Sequence, residues 1–181
     1  MTVRPLTNAG WGFESMCFVC EPTNSHGMRI PFFHDDEAGT VTAEFTLGEV
    51  FSGAPTLAHG GVLMAICDEA MCWATIAVAG TWALTAGNSH RFLRPVRLDQ
   101  SHRVEARIAG RDTAGIRATA TICRLSSGKV AVEAEALFSP IGPAQASEAI
   151  GTEVGAEHRR YLTGPSTGPS TGPSTGPGPD R

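Results

Sequence analysis

The sequence carries no excess of positive charge. Its 181 residues include 14 Lys and Arg against 18 Asp and Glu, which gives a formal net charge of -4. A protein that binds nucleic acid or an anionic membrane surface normally presents a basic face. The composition therefore disfavours both classes, and we expect no nucleic-acid partner and no membrane partner. An anionic ligand would need a local cluster of basic side chains.

Features of secretion and membrane insertion are also missing. The first residues, MTVRPLTNAGWGF, contain no apolar stretch of the kind found in signal peptides. Residues 61–79 approach the length of a membrane span, but Asp68 and Glu69 lie near their middle, at a cost of about 2.5–3.5 kcal/mol for the Asp alone. The five cysteines are an odd number, and three lie in apolar segments, which favours reduced thiols. We therefore expect a cytoplasmic protein.

The sequence has no complete zinc-finger spacing. Cys17 and Cys20 form a CxxC pair with His26 and His34 nearby, but a second close-spaced pair of ligands is missing. A thioredoxin-like redox pair would need a surrounding βαβ pattern, which is also missing. We therefore predict no metal site and leave the role of the CxxC pair open.

The composition changes sharply near the C-terminus. From Gly164 the chain repeats GPST without an apolar residue, so this part has nothing to bury against a core. The rest is long enough for one domain with a core of ordinary size. The predicted organisation is an N-terminal segment with the CxxC pair (1–26), a folded domain (27–140), a C-terminal extension (141–163) and a disordered tail (164–181).

Alternating apolar and polar residues predict most of the strands. The segments HRVEARIAG, GIRATATICR and KVAVEAEALF alternate in this way, and the turns GRDTAG and SSGK separate them by hairpin distances. GMRIPFF, TVTAEFTLG and TWALTAGNSHRFLRPV are further strand candidates. One long apolar helix, within LAHGGVLMAICDEAMCWATIAVAG, follows the second strand. The order predicts an α+β fold in which an antiparallel sheet of about six strands wraps around one central helix.

Two carboxylates interrupt this apolar helix. Asp68 and Glu69 lie where burial makes a charge costly, so each must be neutralised, paired or used in chemistry. They are about 100° apart on the helix, so only one can face a given cleft. Spacing alone does not decide which of the two carboxylates faces a cleft. Glu69 can instead form a dimer or sheet contact. At the helix start, Gly60 and Gly61 offer unpaired N–H groups that suit a developing negative charge.

Three segments resemble, in order and spacing, the hotdog-fold acyl-CoA thioesterases of the phenylacetate-degradation and 4-hydroxybenzoyl-CoA type. They are CFVCEPTNSHGMRI (17–30), FSGAPTLAHGGVLMAICDEAMCWA (51–74) and TAGNSHRFLRPV (85–96). The resemblance covers residues 11 to 140. It implies a hotdog fold and the hydrolysis of an acyl-CoA substrate, with no metal and no redox cofactor.

The resemblance also implies roles for individual residues. The Gly60 N–H would polarise the thioester carbonyl, and Asp68, nine positions after His59, would act as general base or nucleophile. Thr85 would match a threonine that related human-type thioesterases use on the next strand. We expect Gly61 to contact the substrate. His59 is expected either to hydrogen-bond the loop or to help place the carbonyl.

Gly60 and Asp68 are too far apart for one subunit to use both on one carbonyl. They are eight positions apart, which is about 12 Å along a helix. If both serve one reaction, they come from two subunits of a two-fold dimer. The dimer known for the family agrees with this argument. We expect a homodimer or a homotetramer.

A local basic cluster follows the strand after the helix. Arg91, Arg94 and Arg97 lie close together in the sequence and suit the phosphates of coenzyme A. Arg94, in FLRP, is the strongest candidate for this contact. The other interpretation of these residues is a solvated strand end.

Two other functions fit the same predicted fold. An acyl-CoA-binding regulator would keep the pocket without turnover, but no basic helix-turn-helix precedes Trp11 in this sequence. A hotdog hydratase relies on an Asp and a His close together near the helix start, whereas here the His precedes Gly-Gly. The chain also departs from the family pattern at four positions that leave the acyl group undetermined: Glu21, Ser52, Gly53 and Cys72.

Overall fold

The computed structural model describes residues 3–162, in which an antiparallel sheet packs against one long helix. Its strands are β1 Val3–Pro5, β2 Phe33–Asp35, β3 Thr40–Thr46, β4 Ser52–Ala54, β5 Leu57–Ala58, β6 Ala83–Phe92, β7 Ser101–Asp112, β8 Gly115–Arg124 and β9 Val130–Pro140. Its α-helices are α1 Gly60–Ala77 and α2 Pro143–Ile150, and short 3-10 helices form at Glu49–Phe51 and Arg159–Tyr161. The tail predicted to be disordered, 164–181, lies outside the described residues.

The sheet confirms the predicted antiparallel meander. In β7, β8 and β9, Ala106 lies opposite Ala120, and Ala120 opposite Ala134. Side chains on a strand alternate between faces, so these alanines lie in one row in the core. The strand order is β1-β2-β3-β7-β8-β9-β6, with β4 and β5 paired separately. Within residues 3–162 the main sheet has seven strands rather than about six, because β1 extends its edge beyond β2.

Helix α1 lies at the centre of the core, as predicted. It contacts β3, β6, β7, β8 and β9, and buries large side chains such as Ile66, Met71 and Trp73. Among residues 3–162 it is the one helix whose length and composition would suit a membrane span, but half of that span is buried inside the protein. The helix is apolar around most of its circumference because the rest of the domain covers it.

The strand predicted for GMRIPFF is wrong in its first part. Arg29 adopts a left-handed backbone, with φ of 53°, which interrupts an extended run. Regular pairing begins only at Phe33. Before it, the Ile30 N–H donates to the Val19 carbonyl at 2.9 Å, and both side chains are buried. Residues 17–30 are therefore an irregular segment that covers part of the core.

An aromatic cluster joins the N-terminal and C-terminal parts of the described chain. The Trp11 ring lies 5.0 Å from Trp82, 4.4 Å from His158 and 5.9 Å from Tyr161, measured between centroids. The Gly155 N–H also donates to the Trp11 carbonyl at 2.8 Å. The residues after β9 therefore pack onto the same core as the N-terminal segment.

Candidate active site

His59 caps the start of α1. Its Nδ1 accepts a hydrogen bond from the Gly61 N–H at 2.9 Å, and its backbone is extended, with φ of -66° and ψ of 133°. The His59 carbonyl accepts from the N–H groups of Val62 and Leu63. The Gly60 N–H has no hydrogen-bond partner among residues 3–162, because the first residues of a helix lack an intrahelical acceptor. One unused donor and the positive end of the helix dipole are therefore left at Gly60.

Two neighbours shape the space around this donor. Gly53 approaches the cap so closely that an added Cβ would lie 2.9 Å from His59 Cα, so a larger residue there would displace the loop. On the other side, the Phe92 ring of β6 lies 3.6 Å from the position of a Cβ on Gly60. That ring is 51% exposed. The Gly60 N–H therefore borders an apolar surface that is open to solvent.

Asp68 faces strand β6. The Thr85 hydroxyl donates a hydrogen bond to Asp68 Oδ1 at 2.9 Å. The carboxylate and the hydroxyl that the resemblance implied therefore lie together. Gly60 is about 12 Å away along the same helix, so a single subunit does not bring both groups to one carbonyl.

His90 is a candidate site residue that sequence reasoning missed. Its ring nitrogens are buried and have no hydrogen-bond partner within residues 3–162, and the ring stacks on Phe92 with centroids 6.4 Å apart. Burial lowers the pKa of His90, and the negative charge of Asp68 opposes that change. Simple alternation places residues 85 and 90 on opposite faces of the strand. The register shift between Thr85 and Gly87 changes that alternation, because a β-bulge inserts an extra residue.

Strand β6 leaves an apolar edge exposed. It is the last strand of the main sheet, so the backbone groups on its outer side have no strand partner among residues 3–162. On β6, Leu84 and Phe92 are 46% and 51% exposed, and Met64 of α1 is 37% exposed. Apolar side chains beside an open strand edge are typical of a surface that pairs with another chain.

The three predicted arginines have different surroundings. Arg91 forms an ion pair with Glu133 at 3.0 Å. Arg94 and Arg97 instead line a cavity of about 220 Å³. The Arg94 guanidinium donates to the Val130 carbonyl.

Two further basic residues line the same cavity. Arg124 ends β8, and Lys129 lies in the turn before β9. Sequence reasoning missed both because it considered only basic residues close together in the chain. The basic residues that flank the SSG turn were the available signal. The result is a basic cavity, defined by Arg94, Arg97, Arg124 and Lys129.

Glu69 faces the N-terminal segment. One of its carboxylate oxygens and the sulfur atoms of Cys17 and Cys20 lie within 4.8 Å of one another. Burial raises the pKa of Glu69 to about 7, and the negative charge of Cys17 adds to this rise. The hydrogen bond from the Cys20 side chain lowers the pKa of Cys17 to about 5, with the help of backbone N–H groups and against the effect of burial. The two neighbouring carboxylates therefore have separate surroundings.

Comparisons with known proteins agree with the family resemblance. Residues 56–131 match the sequence model of the thioesterase superfamily. A comparison with curated proteins gives no match. Among solved structures, a thioesterase superfamily protein is similar, with 27% sequence identity and a TM-score of 0.61 over 65% of this chain and 57% of that one. The present chain thus spans little more than half the length of that relative.

Two other solved structures are similar in fold. One is a protein from Streptococcus mutans bound to acetyl-CoA, with 18% identity and a TM-score of 0.54 over 57% of this chain and 82% of that one. The other is the PaaI protein from the phenylacetic acid degradation operon of E. coli, with 19% identity and a TM-score of 0.53 over 57% of this chain and 74% of that one. The shared fold confirms the predicted hotdog fold, and residues 56–131 are similar to the thioesterase superfamily.

Proposed function

We propose that this protein is a homodimeric thioesterase that hydrolyses acyl-CoA thioesters to a carboxylic acid and free coenzyme A. One observation carries the proposal. Helix α1 combines an unused N–H at Gly60 with a carboxylate, Asp68, that accepts a hydrogen bond from Thr85. A donor for the carbonyl oxygen and a base or nucleophile are the two groups that thioester hydrolysis requires.

In the proposed reaction, the thioester oxygen accepts a hydrogen bond from Gly60 of one subunit. Asp68 of the other subunit removes a proton from water, which attacks the carbonyl carbon, or attacks that carbon itself to form an anhydride that water then hydrolyses. The C–S bond breaks when the tetrahedral intermediate collapses, and the departing sulfur takes up a proton. One water is consumed in either route. A single well-placed donor at the oxyanion contributes about a hundred- to thousandfold in rate.

The need for a second subunit follows from the length of α1. The separation of about 12 Å between Gly60 and Asp68 is too long for one carbonyl, whereas two antiparallel copies of α1 would bring each Gly60 beside the other copy's Asp68. The open edge of β6, with exposed Leu84 and Phe92, supports pairing along this side. Both groups lie on or beside this edge.

The basic cavity supports coenzyme A as the leaving group. Four basic side chains line one small cavity on a protein of net negative charge, and guanidinium groups suit phosphate because they donate two parallel hydrogen bonds. A relative with this fold is bound to acetyl-CoA. We assign the phosphates of coenzyme A to this cavity.

Thiol release from a panel of aryl and fatty acyl-CoAs tests the activity. We expect release of coenzyme A from at least one thioester, with loss of that release in Asp68→Asn. Binding of the same thioesters without release would instead support an acyl-CoA-binding regulator. Hydration of an enoyl-CoA without thiol release would support a hydratase.

Mixed dimers test the shared site. Gly60→Pro removes the N–H at the first helical position, which tolerates proline, after an extended His59 that suits a following proline. Gly60→Ala keeps the N–H and is the matched control. Gly60→Pro and Asp68→Asn should each be inactive alone, but random mixing of the two should restore about a quarter of the wild-type activity, because half of the dimers contain one intact site. Continued inactivity of verified mixed dimers would show that the two groups do not share a site.

A further inference from the structure

A cluster of sulfur and oxygen ligands lies outside the proposed active site. It consists of Cys17 and Cys20 from the N-terminal segment and Glu69 from α1, which we call the thiol cluster. One ligand atom from each residue lies within 4.8 Å of the other two. His26 and His34 are not part of it: His34 bonds with Arg4 and Asp36 instead.

Three N–H donors point at the two sulfur atoms. The backbone N–H groups of Val19 and Cys20 donate to Cys17 Sγ, each at 3.4 Å. The side-chain amide of Asn8 donates to Cys20 Sγ at 3.4 Å. A thiolate is a better acceptor than a thiol because its charge strengthens each hydrogen bond. The segment around Cys17 and Cys20 therefore holds two sulfur atoms side by side. The Cys20 side chain and the backbone donors lower the pKa of Cys17, whereas the hydrogen bond to Cys17 raises the pKa of Cys20, so a bound cation would take the place of the Cys20 proton.

The thiol cluster brings together groups that can each carry a negative charge. The Glu69 carboxylate adds a third acceptor, and a second carboxylate, Asp68, is the preceding residue of α1. The ion pairs formed within residues 3–162 do not include Glu69. Negative groups that are brought together in partial burial repel one another unless a proton or a cation lies between them. A divalent cation would satisfy all three ligand atoms at once.

Although the sequence alone predicted no metal site, we propose that Cys17, Cys20 and Glu69 bind one Zn²⁺ ion, with a water molecule as the fourth ligand. Zinc binds thiolate sulfur at about 2.3 Å and carboxylate oxygen at about 2.0–2.2 Å, in tetrahedral geometry. Two sulfur ligands of one zinc ion therefore lie about 3.8 Å apart. The observed spread of at most 4.8 Å leaves only small side-chain movements to reach that geometry. A disulfide would use the two sulfur atoms alone and would give the adjacent Glu69 carboxylate no role.

The ion would connect the N-terminal segment to the central helix. Residues 17–30 lack regular strand pairing and are held by isolated backbone bonds, such as that from Ile30 to Val19. A metal bound to Cys17, Cys20 and Glu69 would fix this segment onto α1, one position from Asp68. Binding energy of such a site becomes folding energy of the segment that carries the ligands.

Cobalt and zinc titrations of the full chain test the site. The chain is reduced, stripped of metal with a chelator and kept free of oxygen. Added Co²⁺ should give one thiolate-to-cobalt charge-transfer band at a stoichiometry of one ion per chain, and added Zn²⁺ should remove that band. Cys17→Ser and Cys20→Ser should each abolish the band. Glu69→Gln, which keeps both thiols, should weaken Co²⁺ binding at least tenfold.

Cys123→Ser is the matched control, because Cys123 lies on β8 away from the thiol cluster. It should bind Co²⁺ like the wild type. Thermal melts with and without Zn²⁺ guard against variants that simply fail to fold: Zn²⁺ should raise the Tm of the wild type and Cys123→Ser, but not that of folded Cys17→Ser. The proposal is overturned if the reduced wild type gives no band, if both cysteine variants keep it, or if excess Zn²⁺ does not protect the pair from oxidation to a disulfide.

Discussion

Two neighbouring carboxylates lie on different sides of helix α1 and have different surroundings. On the side that faces β6, Asp68 accepts a hydrogen bond from the Thr85 hydroxyl, beside an open strand edge. On the side that faces the N-terminal segment, Glu69 lies beside the sulfur atoms of Cys17 and Cys20. We call these the β6 side and the thiol side. Thr85 thus lies at a surface that is open to solvent, whereas the thiol side is covered by the N-terminal segment of the same chain.

The difference arises from one step along the helix. Adjacent residues point about 100° apart, so Asp68 and Glu69 meet different elements although they are neighbours in sequence. A charged side chain on a core helix must be stabilised by groups close to it. Asp68 is stabilised by a hydroxyl donor at an open surface, whereas Glu69 lies beside ligand atoms that can share a cation with it. The comparison predicts that changes on the two sides have different consequences.

Of the substitutions that test this comparison, Asp68→Asn should have the largest effect on the rate of thiol release. The amide is similar in size but can neither take up a proton nor attack a carbonyl, so the rate of thiol release should fall by about 10²–10⁴-fold, with an unchanged melting temperature. Glu69→Gln should lower the rate by less than about tenfold, because Glu69 faces away from the reaction. Steady-state kinetics and thermal melts on both variants make the measurement. Equal rate losses would remove the functional distinction between the two sides.

Thr85→Val should have a smaller effect on the β6 side. Valine keeps the branched shape and the strand preference but removes the donor to Asp68. Because this position is exposed and water can replace the hydroxyl, we expect kcat to fall about tenfold. Thr119→Val, on β8, is the control and should retain the wild-type rate. A kcat for Thr85→Val as high as that of the control would leave the Thr85 hydroxyl without a role in turnover.

Arg97→Gln should have the smallest effect on activity, and it tests whether the phosphates of coenzyme A bind in the basic cavity. Loss of one cation from the basic cavity should raise KM for acyl-CoA a fewfold and weaken its dependence on salt, because ion screening acts on charged contacts. Arg91→Gln is the matched control, since Arg91 already pairs with Glu133 outside that cavity. KM measured for both variants at low and high ionic strength makes the comparison. A larger effect at Arg91 would place the phosphates along the strand instead.

Local patterns predicted a large part of the fold. The meander of β7, β8 and β9 and the central helix follow from alternation and from an apolar run, because both signals are local and strong. The predicted strand before Phe33 failed because the left-handed Arg29 is not visible in an apolar pattern. The candidate site was partly predictable: the family resemblance implied Gly60 and Asp68, whereas alternation did not predict the position of His90 because β6 contains a bulge.

By itself, the sequence determined the apolar helix with its Gly-Gly start, the alternating strands and the presence of two adjacent carboxylates. Only the tertiary structure decided which carboxylate meets which partner. It brought Thr85 to Asp68, and it brought Cys17 and Cys20 to Glu69. The physical reason is that helix and strand formation depend on neighbours within a few residues, whereas the surroundings of a charge depend on segments far apart in the chain that packing brings together.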